Sequence, residues 1–458
     1  MMNEFKVHLI FNNEKIKEKV NEILRRKYNI VNIIKDADVF ITDSIPDDSN
    51  KKYFLVVWDK HNIDEIEKKL GYLVSNDKSG SKKMENCMHL RGIFLIQEII
   101  YDENKLINCI EEIKNEIQSK NDLMEQAEEI KNNGECYEIG SMIKLTESEM
   151  LEDMFSKPRF NALVTDKPML ELMRKLTYFL FQIEPSLKIL KDHYKNYIKQ
   201  VKDSSQKPNF EFEQKLINEL YKLKNKMPVS FEPLLLRGET GVGKTLIARW
   251  IHGKGKKNSR FLGEFKEINA SGLSLHLMET ELFGYKKGAF TDAKQDKPGI
   301  AFLAIGGVLF LDEIGDIPLE LQPRIMKFIE ENTFIPDGWT GNPFYCPLLI
   351  IAATNRDLEE MIQQGRFRHD FYARFRHRIR VPTIAERKES FTAIIDMQLQ
   401  NTRINRNIKY VSYKAVEKLK NMTFPENFRG LERTIRIAVE KTNELGLDIL
   451  LAECIPDG

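Results

Sequence analysis

Eight residues near the middle of the chain, Gly238-Glu239-Thr240-Gly241-Val242-Gly243-Lys244-Thr245, have the types and spacing of a phosphate-binding loop. The glycines let backbone N–H groups turn inward around an anion, and a following helix adds the positive end of its dipole. In that setting Lys244 reaches the β- and γ-phosphates of a nucleoside triphosphate, and the Thr245 hydroxyl ligates Mg²⁺. About seventy residues on, Gly306-Gly307-Val308-Leu309-Phe310-Leu311-Asp312-Glu313 is an apolar run ending in two acids. Alone, such a run is common. After a P-loop it reads as the strand whose Asp312 holds Mg²⁺ through water and whose Glu313 polarises the attacking water as general base. Together the two stretches point to ATP hydrolysis, with ATP and Mg²⁺ as the cofactors.

Those residues need a strand before the loop and a helix after it. Pro233–Arg237 is a short apolar strand, and Leu246-Ile247-Ala248-Arg249-Trp250 begins a helix. From this context residues 231–396 read as an α/β ATPase subdomain and residues 397–458 as a helical lid. Residues 159–230 read as a helical segment. Its stretch from about Lys191 to Met227, rich in Lys, Asn, Asp and Glu and interrupted by SSQKPN, reads as an exposed helical insertion. Residues 121–158 are polar and helix-prone, with KNNGE as a break, and read as a linker.

In residues 1–120 short apolar runs alternate with amphipathic stretches. Strands are expected at Phe5–Phe11, Val31–Ile34, Val39–Thr42, Tyr53–Trp58 and Ile93–Ile100. Helices are expected at Glu14–Lys27, with Ile16, Val20, Ile23 and Leu24 on one face, at Ile63–Leu70, and from about Asn104 to Ser119. The alternation predicts a small α/β sandwich with a mostly parallel sheet. The stretch Ala37–Pro46 resembles the central strand of a response-regulator receiver, with Asp43 at the phosphoacceptor position. Asn12-Asn13 stands where a receiver needs an acidic pair for Mg²⁺, and Leu95-Ile96-Gln97-Glu98 where a Lys-Pro is expected. Without those groups phosphoryl transfer to Asp43 loses its metal and its cationic partner. The expectation is a degenerate receiver-like or other α/β sensor domain that is not phosphorylated.

The bulk properties exclude several classes. Seventy basic and 69 acidic residues leave a net charge of +1, which argues against a polybasic nucleic-acid coat. The five cysteines (Cys87, Cys109, Cys136, Cys346, Cys454) include no C-x-x-C pair, so neither a zinc site nor a disulfide framework is indicated. The first residues lack the features of a signal peptide, and no apolar run is long enough to cross a bilayer. A soluble, cytoplasmic protein is expected, with no membrane partner.

Between the two ATP-directed motifs lies Glu281-Leu282-Phe283-Gly284-Tyr285-Lys286-Lys287-Gly288-Ala289-Phe290-Thr291-Asp292-Ala293. With GGVLFLDEIGDIPLELQPRIMKFIEE, IAATNRDL and GRFRHDFYARF, it resembles the sigma-54-dependent transcription activators, a family of AAA+ ATPases whose hallmark is the loop GAFTGA. The resemblance covers about residues 230 to 445. It implies a P-loop AAA+ ATPase domain with a helical lid, here preceded by a small receiver-like α/β domain and a helical linker. It also implies a homo-oligomeric ring, hexameric by family expectation, that remodels sigma-54 RNA polymerase to activate transcription.

The resemblance implies roles at matching positions. Asn269 matches the asparagine that restrains the Walker B glutamate. The loop Gly288, Ala289, Phe290, Thr291, Asp292, Ala293 matches the partner loop, with Phe290 and Thr291 at the tip that touches sigma-54. Asn355 matches the sensor I residue, Arg429 the sensor II arginine, and Arg368 and Arg374 the arginines offered to a neighbour's nucleotide. A guanidinium against a transferring phosphoryl group is worth ~10³–10⁵ in rate, and supplied in trans it makes turnover depend on assembly. Three features depart from the family. Asp292 replaces a glycine, adding charge to a loop that must flex; no helix-turn-helix pattern follows Leu445, so the protein acts without specific DNA contact, the DNA reader is elsewhere, or the function has moved away from transcription; and the helical segment before the P-loop is unusually long. The first two favour a second reading, a repurposed AAA+ remodelling or signalling ATPase (stress or phage defence) with another partner. A nucleotide-gated scaffold is disfavoured because Glu313, Arg368 and Arg374 are all present.

Overall fold

The computed structural model describes the chain apart from residues 1–4, 12–13, 32–36, 43–52, 59–89, 96–98, 100–101, 142–165, 207–209, 258–260, 402–403, 406 and 458. It divides into two compact units between Asn132 and Asn133.

The first unit contains β1 (Lys6–Ile10), α1 (Glu14–Leu24), β2 (Asn29–Val31), β3 (Val39–Thr42), β4 (Tyr53–Trp58), β5 (Leu90–Leu95) and α2 (Asn104–Asn132). Its sheet runs β2-β1-β3-β4-β5, with every pairing parallel. That is the doubly wound order of flavodoxin-like and receiver-like folds. α1 buries Ile16, Val20, Ile23 and Leu24, the four residues its spacing places on one face. They pack with Val7, Val39, Ile41 and Leu55 of the sheet and with Leu106, Ile110 and Ile113 of α2.

Three boundaries differ from expectation. β2 begins at Asn29, before the expected Val31, and the last strand begins at Leu90, with Ile99 already helical. α2 continues past Ser119 to Asn132, because nothing breaks it before Gly134, which turns at φ +70°. The helix therefore takes up the first part of the stretch read as linker. Asp43, Asn12-Asn13, Ile96-Gln97-Glu98 and the helix expected at Ile63–Leu70 lie outside the described residues.

The second unit opens with β6 (Cys136–Glu138), followed by α3 (Lys167–Ile189), a π-helical turn at Leu190–Tyr194, α4 (Lys195–Ser205) and α5 (Gln214–Lys226). Asp166 caps α3 by accepting the Met169 N–H, with Pro168 in the first turn. The stretch expected to be an exposed insertion is instead part of the main core. Tyr194, Ile198, Val201, Phe212, Leu216, Ile217 and Leu220 are all buried against the ATPase sheet and its helices. The lysines and asparagines that dominate its composition occupy the outer faces of amphipathic helices, whose inner stripes recur at three- and four-residue spacing.

The central sheet is built from β7 (Leu234–Arg237), β8 (Phe265–Asn269), β11 (Val308–Asp312), β14 (Leu349–Thr354) and β15 (His377–Arg380), in the order β15-β7-β14-β11-β8 and wholly parallel. Around it lie α6 (Lys244–Lys257), α7 (Leu275–Phe283), α8 (Ile300–Leu303), α9 (Gln322–Glu331), α10 (Leu358–Gln363) and α11 (His369–Arg374). Two small antiparallel ladders pair β9 (Gly284–Tyr285) with β10 (Lys297–Pro298), and β12 (Thr333–Phe334) with β13 (Phe344–Tyr345). Every residue of β14 is buried, as expected for a parallel strand covered on both faces. Because β14 lies between β7 and β11, three strand ends emerge side by side at the carboxyl edge, where open α/β sheets bind ligands.

The chain then forms α12 (Phe391–Leu399), β16 (Tyr410–Ser412), α13 (Tyr413–Asn421), α14 (Asn427–Glu444) and β17 (Ile449–Leu450). β16 pairs with β17 on one side and, antiparallel, with β6 on the other. Tyr137 packs on Tyr413 with ring centroids 4.5 Å apart, and the Gly140 N–H donates to the buried Asp396 carboxylate at 2.6 Å. Residues 136–140, within the stretch read as linker, are therefore built into the lid.

Candidate active site and partner loop

The loop from Gly238 to Gly243 joins β7 to α6. Gly241 and Gly243 adopt φ of +78° and +96°, open to glycine at little cost. A Cβ at Gly241 would also stand 2.0 Å from the Glu426 carbonyl oxygen, so the lid's approach to the loop requires glycine there. Lys244 is buried, its Nζ donating to the Gly238 and Glu239 carbonyls at 2.8 and 3.1 Å. Burial pulls its ammonium below the ordinary lysine range, against the opposing pull of Glu313 and Asp312. Thr245 is half-buried in the first turn of α6, and Val242 is buried.

Asp312 ends β11, and Glu313 follows in a left-handed conformation, φ +51° and ψ +55°. Such a backbone costs a non-glycine residue on the order of 1 kcal/mol or more. The Asp312 Oδ1 accepts the Glu313 N–H at 3.1 Å, and Glu313 Oε2 accepts the Asn355 N–H at 3.2 Å. Burial raises both carboxyl groups above their ordinary values, and Lys244 only partly offsets this. Two desolvated carboxylates and the Thr245 hydroxyl offer only oxygen ligands, which suits a hard cation such as Mg²⁺. A desolvated ammonium turned onto its own loop carbonyls suits a phosphate.

The other sequence-predicted residues fall into two groups. Asn355, at the end of β14, donates from Nδ2 to Thr240 Oγ1 at 2.9 Å. Asn269 ends β8 beside Asp312, its partner in the ladder, and its Oδ1 accepts the Ser271 N–H at 2.8 Å. Among the described residues no hydrogen bond joins Asn269 to Glu313; Asn355 holds that carboxylate instead. Arg429, exposed in the first turn of α14, is near enough for its charge to act on Lys244 and Asp312.

Arg368 and Arg374 flank α11 on the surface. Arg368 forks onto Asp370 at 3.0 and 2.7 Å, and Arg374 pairs with Glu330 at 2.5 Å. Among the described residues no hydrogen bond or ion pair joins either arginine to Lys244, Asp312 or Glu313.

Gly288–Ala293 is a compact turn between β9 and β10. The Gly288 N–H donates to Ala293 O at 2.9 Å, and the Ala293 N–H to Phe290 O at 3.0 Å. Thr291 and Asp292 are exposed at its tip, while Ala293 is buried and Ala289 half-buried. Phe290 is folded back, edge-on to Tyr285 at 4.8 Å and to His276 at 5.3 Å.

Two residues that sequence reasoning missed organise these parts. Asp296, nearly buried, accepts the Lys287 N–H at 2.8 Å and the Phe212 N–H at 3.1 Å, tying the loop's base to the helical layer. Asn427, buried at the start of α14 with φ +51°, donates to Glu239 Oε2 and Thr240 O, both at 3.0 Å, and accepts the Ile384 N–H at 3.0 Å. An isolated Asp in a lysine-rich stretch carries no sequence signal. Asn427 lies two residues before Arg429, and Phe-Pro-Glu-Asn reads as an ordinary helix start.

Comparison with known proteins agrees with this geometry. The family model for the sigma-54 interaction domain matches residues 210–380. The DNA-binding transcriptional regulator NtrC of Azospirillum brasilense is 36% identical over 241 residues, which cover 52% of this chain and 49% of that protein. The transcriptional regulator VasH of Vibrio cholerae is 37% identical over 212 residues, covering 46% of this chain and 39% of that one. An uncharacterized protein in the HyuA 5′ region of Pseudomonas sp. (strain NS671) is 38% identical over 226 residues, 48% of this chain and 74% of that one. The chain thus spans about half the length of the NtrC relative. The matched span holds the P-loop and the acidic strand end on one parallel sheet, with the GAFTDA turn between the separate short strands β9 and β10, and the chain belongs to the sigma-54-dependent activator family of AAA+ proteins.

Proposed function

We propose that the protein is an ATP-hydrolysing AAA+ ring, hexameric and cytoplasmic, that remodels sigma-54 RNA polymerase to activate transcription. The observation that supports this reading is that Lys244, Thr245, Asp312, Glu313 and Asn355 stand together at one sheet edge, on the same domain as the Gly288–Ala293 turn. In this reading Lys244 neutralises charge on the phosphates, Asn355 orients Glu313, and Glu313 takes the proton from the attacking water. Mg²⁺, held by Thr245 and Asp312, would draw charge from the phosphate oxygens. Arg374 and Arg368, exposed and paired with their own acids, are available to exchange those partners for a neighbour's nucleotide. That exchange costs little, since exposed ion pairs are worth under ~1 kcal/mol. Arg429 would report the nucleotide to the lid.

Asp292 supports a second reading, in which the same motor acts on a different protein. Its carboxylate stands exposed at the tip where the family has glycine. One variant separates motor from client. Phe290→Ala is expected to keep ATP turnover while losing capture of purified sigma-54. Turnover without capture in the wild type as well would point to the second reading, and no turnover in either would refute the motor.

A further inference from the structure

The hydrogen bonds around the site form one continuous line from the acidic strand end to the lid. Glu313 Oε2 accepts the Asn355 N–H at 3.2 Å, and Asn355 Nδ2 donates to Thr240 Oγ1 at 2.9 Å. The Thr240 carbonyl accepts from Asn427 Nδ2 at 3.0 Å, and Asn427 Oδ1 accepts the Ile384 N–H at 3.0 Å. Ile384 lies in the short helical turn between β15 and α12, where the ATPase subdomain gives way to the lid. The next residue after Asn427 adds a parallel tie, the Phe428 N–H donating to Gly241 O at 3.2 Å.

We propose that Asn427 is a positioning residue that couples the lid to the Glu313 carboxylate through Thr240 and Asn355. Three properties set it apart from a simple helix start. Its side chain is almost fully buried, so an unmade bond there costs the whole desolvation of the amide. Its backbone holds φ +51°, a conformation that asparagine tolerates better than most residues but that still needs support from its surroundings. Its amide uses both ends, the donor on the P-loop and the acceptor on the hinge, so the two cannot shift apart without breaking a bond.

The consequence concerns the same site as the proposed ATPase and rests on that reading. A lid that swings when nucleotide arrives draws on Thr240 through Asn427. Thr240 then releases or retains the Asn355 amide, which resets the backbone N–H that holds Glu313. Asn269 stands beside Asp312 and bonds to Ser271, so in this structure restraint of the glutamate passes through Asn355.

The test is a double-mutant cycle with an exchange measurement, in the full-length protein. Asn427→Gly removes the amide yet accepts the left-handed backbone. Thr240→Val removes only the hydroxyl that receives Asn355. If the line is continuous, each single variant lowers kcat by about tenfold and the double variant by about the same tenfold. Independent sites would multiply to roughly a hundredfold. Hydrogen exchange supplies the second readout. Asn427→Gly is expected to speed exchange of the amides at residues 353–356, which Asn427 does not touch, while the Val308–Leu311 amides stay protected. Multiplying effects, or unchanged exchange at residues 353–356, would overturn the proposal. A wild type that fails to hydrolyse ATP would refute the ATPase reading alone, and the exchange result would still decide whether the coupling exists.

Discussion

Glu313 combines a left-handed backbone, a half-buried carboxyl raised by desolvation, and a single backbone donor from Asn355. It can act as a base only when ionised. Turnover should therefore fall as the pH drops through its raised pKa, at a higher pH than an ordinary carboxylate near ~4.3 would give. Glu313→Gln is expected to lower kcat by about 10²–10⁴ while keeping ATP binding, and wild-type turnover in that variant would remove Glu313 from the mechanism. Stability moves the other way. A carboxyl whose pKa is raised in the folded state binds its proton more tightly there than when unfolded. Its contribution is fullest at low pH and is lost as pH rises through the raised value. At neutral pH the nucleotide-free Glu313→Gln protein should consequently unfold at a higher temperature than wild type, measurable by calorimetry.

At the scale of elements, the turn at Gly288–Ala293 depends on what lies beneath it. Asp296 joins its base to Phe212, and Phe212 sits among Phe302, Trp339 and Phe344 with ring centroids 5.0–6.0 Å away. Asp296→Ala leaves the buried Phe212 amide without an acceptor, at a cost of about 1–3 kcal/mol, and frees the more exposed Lys287 amide to water. The expected result is faster exchange in residues 286–294 and lost client capture, with ATP turnover retained. Equal loss of turnover would mean that Asp296 supports the whole fold rather than the loop. Ile198 of α4 carries a similar argument, because its Cδ1 lies only 2.4 Å from where a Cβ on Gly306 would stand. Ile198→Ala should cost about 2–5 kcal/mol in denaturant unfolding, whereas an exposed insertion would lose almost nothing.

The same elements show what the sequence could and could not disclose. Lys244, Thr245, Asp312 and Glu313 are legible because phosphate chemistry demands particular residue types at contiguous positions. α1 is legible because its apolar stripe follows the helical period. The role of α4 and α5 is hidden because charged outer faces dominate their composition. Asp296 and Asn427 are hidden for a different reason: each acts on backbone groups far away in the chain, and a backbone acceptor leaves no residue-type signature. The end of α2 is not legible because no glycine or proline stands near Ser119 to mark it.

For the whole molecule, the proposed ring implies that one chain does not suffice, because Arg368 and Arg374 would serve a neighbour's nucleotide. In the subunit described they pair with Asp370 and Glu330. If they act in trans, specific activity should rise with protein concentration, and Arg374→Ala should lose about 10³-fold or more at every concentration. Mixing Arg374→Ala with Glu313→Gln should recover turnover, because some interfaces then join an intact arginine to an intact glutamate. No recovery would place the arginine's work within its own subunit.

The most direct test of the central claim is capture of purified sigma-54 by the full-length protein, in ADP alone and in ADP with aluminium fluoride. The account predicts capture only with the transition-state analogue, because in the proposed reading Phe290 leaves its packing on Tyr285 and His276 only when Glu313 and a neighbour's arginines engage that state. An ATPase-active protein that captures no sigma-54 in either condition would contradict it.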